Sequence, residues 1–321
     1  MTGESVSNGP YDVVIIGGGP AGLTAGMYAA RASLRALAIA GESTVSQVTV
    51  TDHIENYPGI PEGINGFDLA ERFKAQALQF GLQTASGDVT AVDKKRWGDR
   101  EGFEIAAGPL RYEALAVIIA TGANWRRLRV PGEERFIGKG VSFCATCDGP
   151  FYKGREVAVV GGGDTAIQEA IYLTRFAKKV TVIHRRDRLR ATAILQKRAL
   201  ANEKIAFAWD SVVESIDGLD LVQWIRLKNL KTGEGRELAA DGVFIFVGLT
   251  PNTDAFRDLI ALDRGGYITV DANMQTSVPG IFACGDCSAK RLLQVVTACG
   301  DGATAAFSAQ LYVEELKGEA Y

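Results

Sequence analysis

Tyr11-Asp12-Val13-Val14-Ile15-Ile16-Gly17-Gly18-Gly19-Pro20-Ala21-Gly22 passes from a short apolar run straight into a glycine-rich turn. Leu23 to Arg31 continues as an alanine-rich stretch with helical spacing. A β-branched run of this kind suits a strand buried on both faces. Strand, Gly-x-Gly-x-x-Gly and helix, in that order, form the dinucleotide-binding fingerprint. Gly17 allows the tight turn, Gly19 lets the backbone approach a pyrophosphate, and Gly22 lets helix pack on strand. Pro20 and Ala21 begin the helix, whose N-terminal partial positive charge faces the phosphates. A plain tight turn would explain the glycines but not their placement between strand and helix.

The pattern occurs again. Val157 to Val160 reads as a strand, Gly161-Gly162-Gly163-Asp164-Thr165-Ala166 as a second phosphate loop, Ala166 to Phe176 as a helix and Val180 to Ile183 as the next strand. Two complete β-α-β units predict two bound dinucleotides. The residues after the second strand of each unit separate the cofactors, because NAD sites place an acid there and NADP sites place arginines. After Val180–Ile183 stand His184-Arg185-Arg186, with Arg190 four residues on, and guanidinium groups bind a phosphate dianion bidentately. This points to NADPH, against a solvated basic turn interrupted by Asp187. In the first unit the second strand is Ala36 to Ala40. Glu42 is the nearest acid, slightly late for the ribose position about 20 residues past the first glycine. It is read either as that ligand or as a solvated loop acid.

Between the two loops lies Phe143-Cys144-Ala145-Thr146-Cys147-Asp148-Gly149. Two cysteines three apart can close a small disulfide ring, and the same spacing is half a zinc site. An acid directly after the second cysteine suits a dithiol that gains and loses protons; a zinc half-site has no use for one. Cys284, Cys287 and Cys299 lie outside this pair. They read as small unreactive residues, with a second redox pair, a site of metal inhibition or a four-thiolate zinc site (Cys144, Cys147, Cys284, Cys287) as the alternatives. No metal is expected.

The rest of the chain supplies scaffolding. Ser43 to Gly66 is a long segment with turns at Tyr57-Pro58-Gly59 and Pro61-Glu62-Gly63, and a loop this long is often functional. Asp68 to Phe80 reads as an amphipathic helix with Leu69, Phe73, Ala77 and Phe80 on one face and Gly81 as its stop. Thr84 to Tyr112 reads as an antiparallel meander with a turn at Trp97 to Gly102, and Leu115 to Ala120 as a separate buried strand closed by Thr121-Gly122. Asn124 to Gly140 is polar and suits a linker, and Gly248 to Asn252 a second one. Leu219 to Leu230 and Gly242 to Val247 supply further strands. Ile281-Phe282-Ala283-Cys284-Gly285-Asp286 is a short buried strand ending in an acid able to bind a ribose or ribityl hydroxyl. Asp301 to Leu316 reads as a helix whose N-terminus favours negative charge on a reduced flavin.

The bulk numbers exclude several classes. A chain of 321 residues suits about two domains. A net charge of −3 gives no footprint for nucleic acid. No apolar run approaches the ~20 residues of a membrane span, and Met1 to Pro10 carries no signal-peptide pattern. Five cysteines, an odd number without an export signal, argue against a structural disulfide framework. A cytoplasmic protein is expected.

With these landmarks in hand, the chain from Tyr11 to about Leu316 resembles the low-molecular-weight bacterial thioredoxin reductases. The residues that carry the likeness are Gly17 to Gly22, Glu55-Asn56-Tyr57-Pro58-Gly59, Ala120-Thr121-Gly122, Cys144 to Gly149, Gly161 to Ala166, His184-Arg185-Arg186 and Gly285-Asp286. The resemblance implies an α/β fold of two Rossmann-like three-layer ββα dinucleotide-binding domains, the second inserted in the first. Residues 1–123 and 253–321 would bind FAD; residues 124–252 would bind NADPH and carry the dithiol, swinging between two orientations about hinges near Asn124 and Pro251. It implies that Cys147 accepts electrons from the flavin, Cys144 attacks the disulfide of thioredoxin, and Asp148 is the acid-base partner. Gln47, Asn56, Asp286, Gln294 and Val295 would contact FAD, with Thr121, Gly122 and Gly285 in the same landmarks. Gly161, Gly163, Asp164, Thr165 and Ala166 would hold NADPH, with His184, Arg185, Arg186 and Arg190 at its 2′-phosphate end. It also implies a homodimer. Many members have Gly-Gly-Gln where this chain has Val45-Ser46-Gln47, and Arg where it has Leu293. Related flavin dithiol enzymes with another donor or acceptor (peroxide-system reductases, dithiol oxidases, ferredoxin-linked reductases) and a non-catalytic nucleotide sensor are the other readings.

Overall fold

The computed structural model describes residues 10–43, 46–51, 53–98 and 100–319. The chain divides into two compact units. Unit 1 comprises Met1–Asn124 and Thr250–Tyr321, and unit 2 comprises Trp125–Leu249.

The opening stretch forms β1 (Tyr11–Ile16), α1 (Pro20–Arg31) and β2 (Ala36–Ala40). Next comes α2 (Gly66–Gln79), capped by Asn65, whose side chain accepts the Phe67 N–H at 2.9 Å. β3 (Gln83–Ser86), β4 (Val89–Trp97), β5 (Arg100–Ala107) and β6 (Leu110–Ile119) follow, and the chain leaves unit 1 within β7 (Ala123–Trp125). Unit 2 runs through β8 (Val141–Ser142), α3 (Ala145–Asp148), β9 (Glu156–Gly161), α4 (Asp164–Leu173), β10 (Lys179–Ile183) and α5 (Ala193–Leu200). It ends with β11 (Ile205–Ala208), β12 (Ser211–Gly218), β13 (Val222–Asn229), β14 (Gly235–Ala239) and β15 (Gly242–Phe246). The chain returns within β16 (Leu249–Pro251), and β17 (Ile281–Ala283) and α6 (Val295–Lys317) complete unit 1.

Each unit is a three-layer ββα sandwich, and side-chain alternation explains why. In unit 1 the sheet order is β3-β2-β1-β6-β5-β4, with β17 also paired to β6. Val13, Ile15, Ala36 and Ala38 face one way and pack with the alanines of α1 and α6. Val14, Ile16, Leu37 and Ile39 face the other way, onto Val92, Phe103 and Ile105 of the meander. Small residues on the helix side allow close approach; large ones fill the other side. Unit 2 has a wholly parallel sheet, β11-β10-β9-β15-β8. α4 and α5 cover one face, and the separate antiparallel sheet β12-β13-β14 covers the other.

Several expectations are corrected. Thr84 belongs to β3, which pairs parallel to β2, so the meander begins at Val89. Its third strand and the buried strand at Leu115 are one element. The start of β6 pairs antiparallel with β5, and its end pairs parallel with β1 and β17. Asp99, in the expected Trp97–Gly102 turn, lies outside the described residues, as do Val45 and Met1 to Gly9. Phe80 is 44% exposed rather than on the buried face of α2, and Arg31 stacks over its ring at 5.3 Å.

The polar segment from Asn124 is not a linker throughout. Phe136 is buried, with Leu128, Val130 and Ile137 packed around it. Buried Glu133 accepts the backbone N–H groups of Leu128 and Arg129. Interleaved arginines hide these apolar residues from any periodic reading. Of the Leu219–Leu230 stretch, only Val222–Asn229 is strand, and Leu219 and Leu221 are exposed. Finally, α6 begins at Val295, not Asp301. Gly300 and Gly302 look like a helix boundary. Gly302 instead marks a close helix crossing, since a Cβ there would lie 2.3 Å from the Ala21 carbonyl oxygen.

Candidate functional site

The first phosphate loop is built by sterics. Gly17 has φ +127°, and a Cβ on it would stand 2.2 Å from the Ala120 carbonyl oxygen. A Cβ on Gly22 would stand 2.0 Å from the Gly17 carbonyl oxygen. Gly19 caps α1 with no side-chain hydrogen bond, so the first N–H groups after it stay available to an anion. Pro20 and Ala21 occupy the first turn. Gly122, at φ +66°, has open space where its Cβ would be. Thr121 is held in place: its hydroxyl donates to the Asn252 carbonyl at 2.6 Å, and Asn252 Nδ2 donates to the Thr121 carbonyl at 3.0 Å.

The structure gathers other expected residues around this loop. Glu42 is exposed in the turn after β2, and Asp88 fixes that turn by accepting the N–H groups of Glu42 and Ser43 at 3.0 and 3.2 Å. These bonds, Ser43 first, hold the Asp88 carboxyl below its usual range. Gln47 Nε2 donates to the Ala123 carbonyl at 2.6 Å. Asn56 Nδ2 donates to Gln294 Oε1 at 2.8 Å, which joins the long loop to the N-cap of α6. Val295 packs on the same small cluster as Tyr57 and Phe73. Burial, with Cys299 next to it, pushes the Tyr57 hydroxyl up to about 12.

At Gly285-Asp286 the sequence missed two partners. Lys290 Nζ lies 2.6 Å from Asp301 Oδ2 and 4.0 Å from Asp286 Oδ1, and the Gly285 N–H donates to Asp301 Oδ2 at 3.3 Å. Burial raises the Asp286 carboxyl, Lys290 opposes that rise, and Asp301 adds to it. The missed signal was helical: Asp301 is inside α6, one turn past Thr297, whose Oγ1 accepts from Lys290 at 3.4 Å. Cys284 and Cys287 are free, fully buried thiols whose pKa burial raises. Cys287 Sγ donates to the Ile119 and Cys284 carbonyls at 3.5 and 3.3 Å. Thiols in that state are poor nucleophiles, so the unreactive reading fits. Cys299 is half-buried.

The second loop follows the first. Gly161 has φ +149°, and its Cβ would stand 2.3 Å from the Phe246 carbonyl oxygen. Gly163 caps α4 without a side-chain bond and has nothing near its Cβ position. Thr165 is exposed and Ala166 buried in the first turn. Asp164 Oδ1 accepts the Thr192 N–H at 2.6 Å, and the Arg190 N–H donates to the Gly162 carbonyl at 2.7 Å, so the arginine segment is tied to the loop. Arg185, Arg186, Arg188 and Arg190 are exposed; Arg188 was not singled out from the sequence. His184 differs from them in being buried. It is 6% exposed, and its ring lies against Gly162, where an added Cβ would come within 2.4 Å. Burial lowers its pKa, and its Nε2 has no hydrogen-bond partner among the described residues. It supports the loop from beneath. Uncapped helix ends and open glycines fit a dinucleotide in each unit.

Cys144 and Cys147 form a disulfide, with Cα atoms 5.4 Å apart. Cys144 is the N-cap of α3, and the Cys147 N–H donates to its sulfur at 3.1 Å. Ser142 Oγ braces the same turn, accepting the Cys144 N–H at 3.1 Å and donating to its carbonyl at 3.2 Å. Cys147 is exposed within unit 2, Cys144 and Asp148 half-buried. A disulfide braced in this way can be opened to a dithiol by two electrons and two protons, and closed again. Among the described residues no three His, Cys, Asp or Glu side chains are placed to hold a metal ion, and no helix is long and apolar enough to cross a membrane.

Comparison with known proteins gives the same picture. The pyridine nucleotide-disulphide oxidoreductase family matches residues 11–302. A thioredoxin reductase of Listeria monocytogenes is 51% identical, covering 96% of this chain and 95% of that protein. One of Treponema pallidum is 47% identical, covering 96% and 98%. The crystal structure of Lactococcus lactis thioredoxin reductase superposes with a TM-score of 0.90 at 46% identity, covering 95% of this chain and 99% of that one. With two fingerprint loops, a closed dithiol and likeness along nearly its whole length, the chain belongs to the pyridine nucleotide-disulphide oxidoreductases, in their thioredoxin reductase family.

Proposed function

We propose that the chain is an NADPH-dependent thioredoxin-disulfide reductase, with FAD held by unit 1 and NADPH by unit 2. The observation that carries this reading is the Cys144–Cys147 disulfide in a chain about half identical, nearly end to end, to thioredoxin reductases. In unit 1, Gly17 to Gly22 would face the FAD pyrophosphate. Glu42, Gln47, Asn56, Thr121, Gly122, Gly285, Asp286, Gln294 and Val295 would line the remainder of that site. In unit 2, Gly161 to Ala166 would face the NADPH pyrophosphate, and Arg185, Arg186 and Arg190 the 2′-phosphate. When bound, NADPH and FAD supply the two electrons that convert the disulfide to a dithiol.

The chain's own residues do the rest. The Cys147 N–H, which donates to the Cys144 sulfur at 3.1 Å, is placed to stabilise negative charge on that sulfur once the disulfide opens. The Cys144 thiolate attacks one sulfur of the thioredoxin disulfide, forming a mixed disulfide and releasing the other sulfur as a thiolate. The Cys147 thiolate then attacks the Cys144 sulfur of the mixed disulfide, which closes the Cys144–Cys147 ring and releases the thioredoxin sulfur as a thiolate, freeing reduced thioredoxin. Asp148, next in sequence, takes and returns the protons. The family likeness supports a cytoplasmic homodimer.

The test is anaerobic nicotinamide oxidation with thioredoxin as acceptor. NADPH turnover far above NADH turnover, and lost in Cys147→Ser, is expected. Full turnover in Cys147→Ser, or no response to either nicotinamide, would overturn the reading.

A further inference from the structure

The segment after β10 is anchored at both ends and exposed between them. His184 and Leu189 are buried, at 6% and 7% exposure, and the Arg190 and Ala191 N–H groups donate to the Gly162 carbonyl at 2.7 and 3.1 Å. Arg185, Arg186, Asp187 and Arg188 project to solvent. Among the described residues none of Arg185, Arg186, Arg188 and Arg190 forms an ion pair with a carboxylate. Asp187 is the one acid in the run, and it does not pair with its neighbours. Its Oδ2 lies 3.0 Å from Lys231 Nζ.

Lys231 comes from far away in the chain, in the turn between β13 and β14. That turn is built to hold it. Asn229 Oδ1 accepts the N–H groups of Lys231 and Thr232 at 2.9 and 3.0 Å, and Gly233 takes φ +77°. The Leu230 N–H donates to the Asp210 carbonyl at 2.6 Å, which fixes this turn to the one between β11 and β12. Lys231 Nζ also lies 3.0 Å from Asp210 Oδ2. One ammonium therefore sits between two carboxylates and holds Asp187.

We infer that Lys231 is a positioning residue for cofactor choice: it neutralises Asp187 so that the arginine run can accept a dianionic 2′-phosphate. This rests on the NADPH reading. Without Lys231, the Asp187 carboxylate would stand among the arginines as a competing anion and repel the phosphate. Both side chains are mostly exposed (60% and 64%), so solvent screens the effect and it is modest.

The experiment is calorimetric titration of the flavin-loaded full chain with 2′,5′-ADP and with 5′-AMP, neither of which reduces flavin. The wild type should bind 2′,5′-ADP more tightly. Lys231→Gln should weaken 2′,5′-ADP binding about three- to fivefold, the size of an exposed ion pair, and leave 5′-AMP binding unchanged. Lys231→Arg should keep the wild-type ratio. Asp187→Asn should bind 2′,5′-ADP at least as well as wild type, and adding Lys231→Gln to it should change nothing further. A loss that persists in the Asp187→Asn background would overturn the inference, because Lys231 would then touch the phosphate itself. An unchanged ratio in Lys231→Gln overturns it too, and leaves the NADPH reading standing. A wild type with no preference for 2′,5′-ADP overturns both.

Discussion

Gly17 and Gly161 sit at the same point of two separate sandwiches, with φ of +127° and +149° and with carbonyl oxygens, of Ala120 and Phe246, 2.2 and 2.3 Å from their missing Cβ atoms. The caps of the following helices, Gly19 and Gly163, have nearly the same backbone, with φ −83° and −91°. The surroundings then diverge. Strand register pairs Ile16 with Ile39 and Val160 with Ile183, so Ala40 and His184 occupy equivalent positions. Ala40 leaves Gly18 a small neighbour, whereas the His184 ring presses on Gly162. Two residues further on, Glu42 corresponds to Arg186. The backbone of a phosphate loop is thus common property, set by glycine sterics. Under the proposed function, its preference among dinucleotides would rest on side chains beyond the strand end.

The largest effect tests the common backbone. Gly17→Ala and Gly161→Ala each add a methyl against a backbone carbonyl at positive φ, and each should cost about 3 kcal/mol or more. Denaturant unfolding reads this, and a midpoint equal to wild type in either variant would break the equivalence of the two loops. A smaller effect separates their ends. Arg186→Glu gives unit 2 the acid of unit 1 and should weaken 2′,5′-ADP binding roughly 10- to 100-fold, the range for a lost charge-assisted bond. Unchanged affinity would mean that Arg186 does not face the phosphate.

The smallest effect concerns His184, which has no titratable counterpart at Ala40. Burial depresses its pKa in the folded state. Above its ordinary value of about 6.5 it is neutral in both states. Below that, the unfolded chain binds a proton that the folded chain resists, so stability falls with pH until the folded pKa is passed, by at most about 1.4 kcal/mol per pH unit. The stability difference between wild type and His184→Gln should therefore be more favourable to wild type at pH 8 than at pH 5. A constant difference would show that His184 charges freely.

Much of this was legible in the residues. Gly-x-Gly-x-x-Gly after an apolar run, the arginines after Ile183 and the Cys144 pair are all local patterns, and local sterics give each a narrow range of outcomes. Helix α6 was misplaced by six residues because Gly300 and Gly302 look like a boundary. Their reason is contact, for Gly302 passes close to the Ala21 carbonyl. The polar stretch after Asn124 concealed a buried Phe136 for the same cause: nothing in its spacing says which residues a neighbouring sheet will cover.

The sequence alone specified the two β-α-β units with their glycine turns, the cysteine pair and the exposed arginine run after Ile183, because those features act within a few residues of chain. It could not show that Lys290 meets Asp301 and Asp286, that the buried His184 ring packs against Gly162, or that Lys231 reaches across 44 residues to hold Asp187. Such pairings depend on which strands lie side by side and which turns dock, and sheet register brings distant residues together in ways that no short window of sequence encodes.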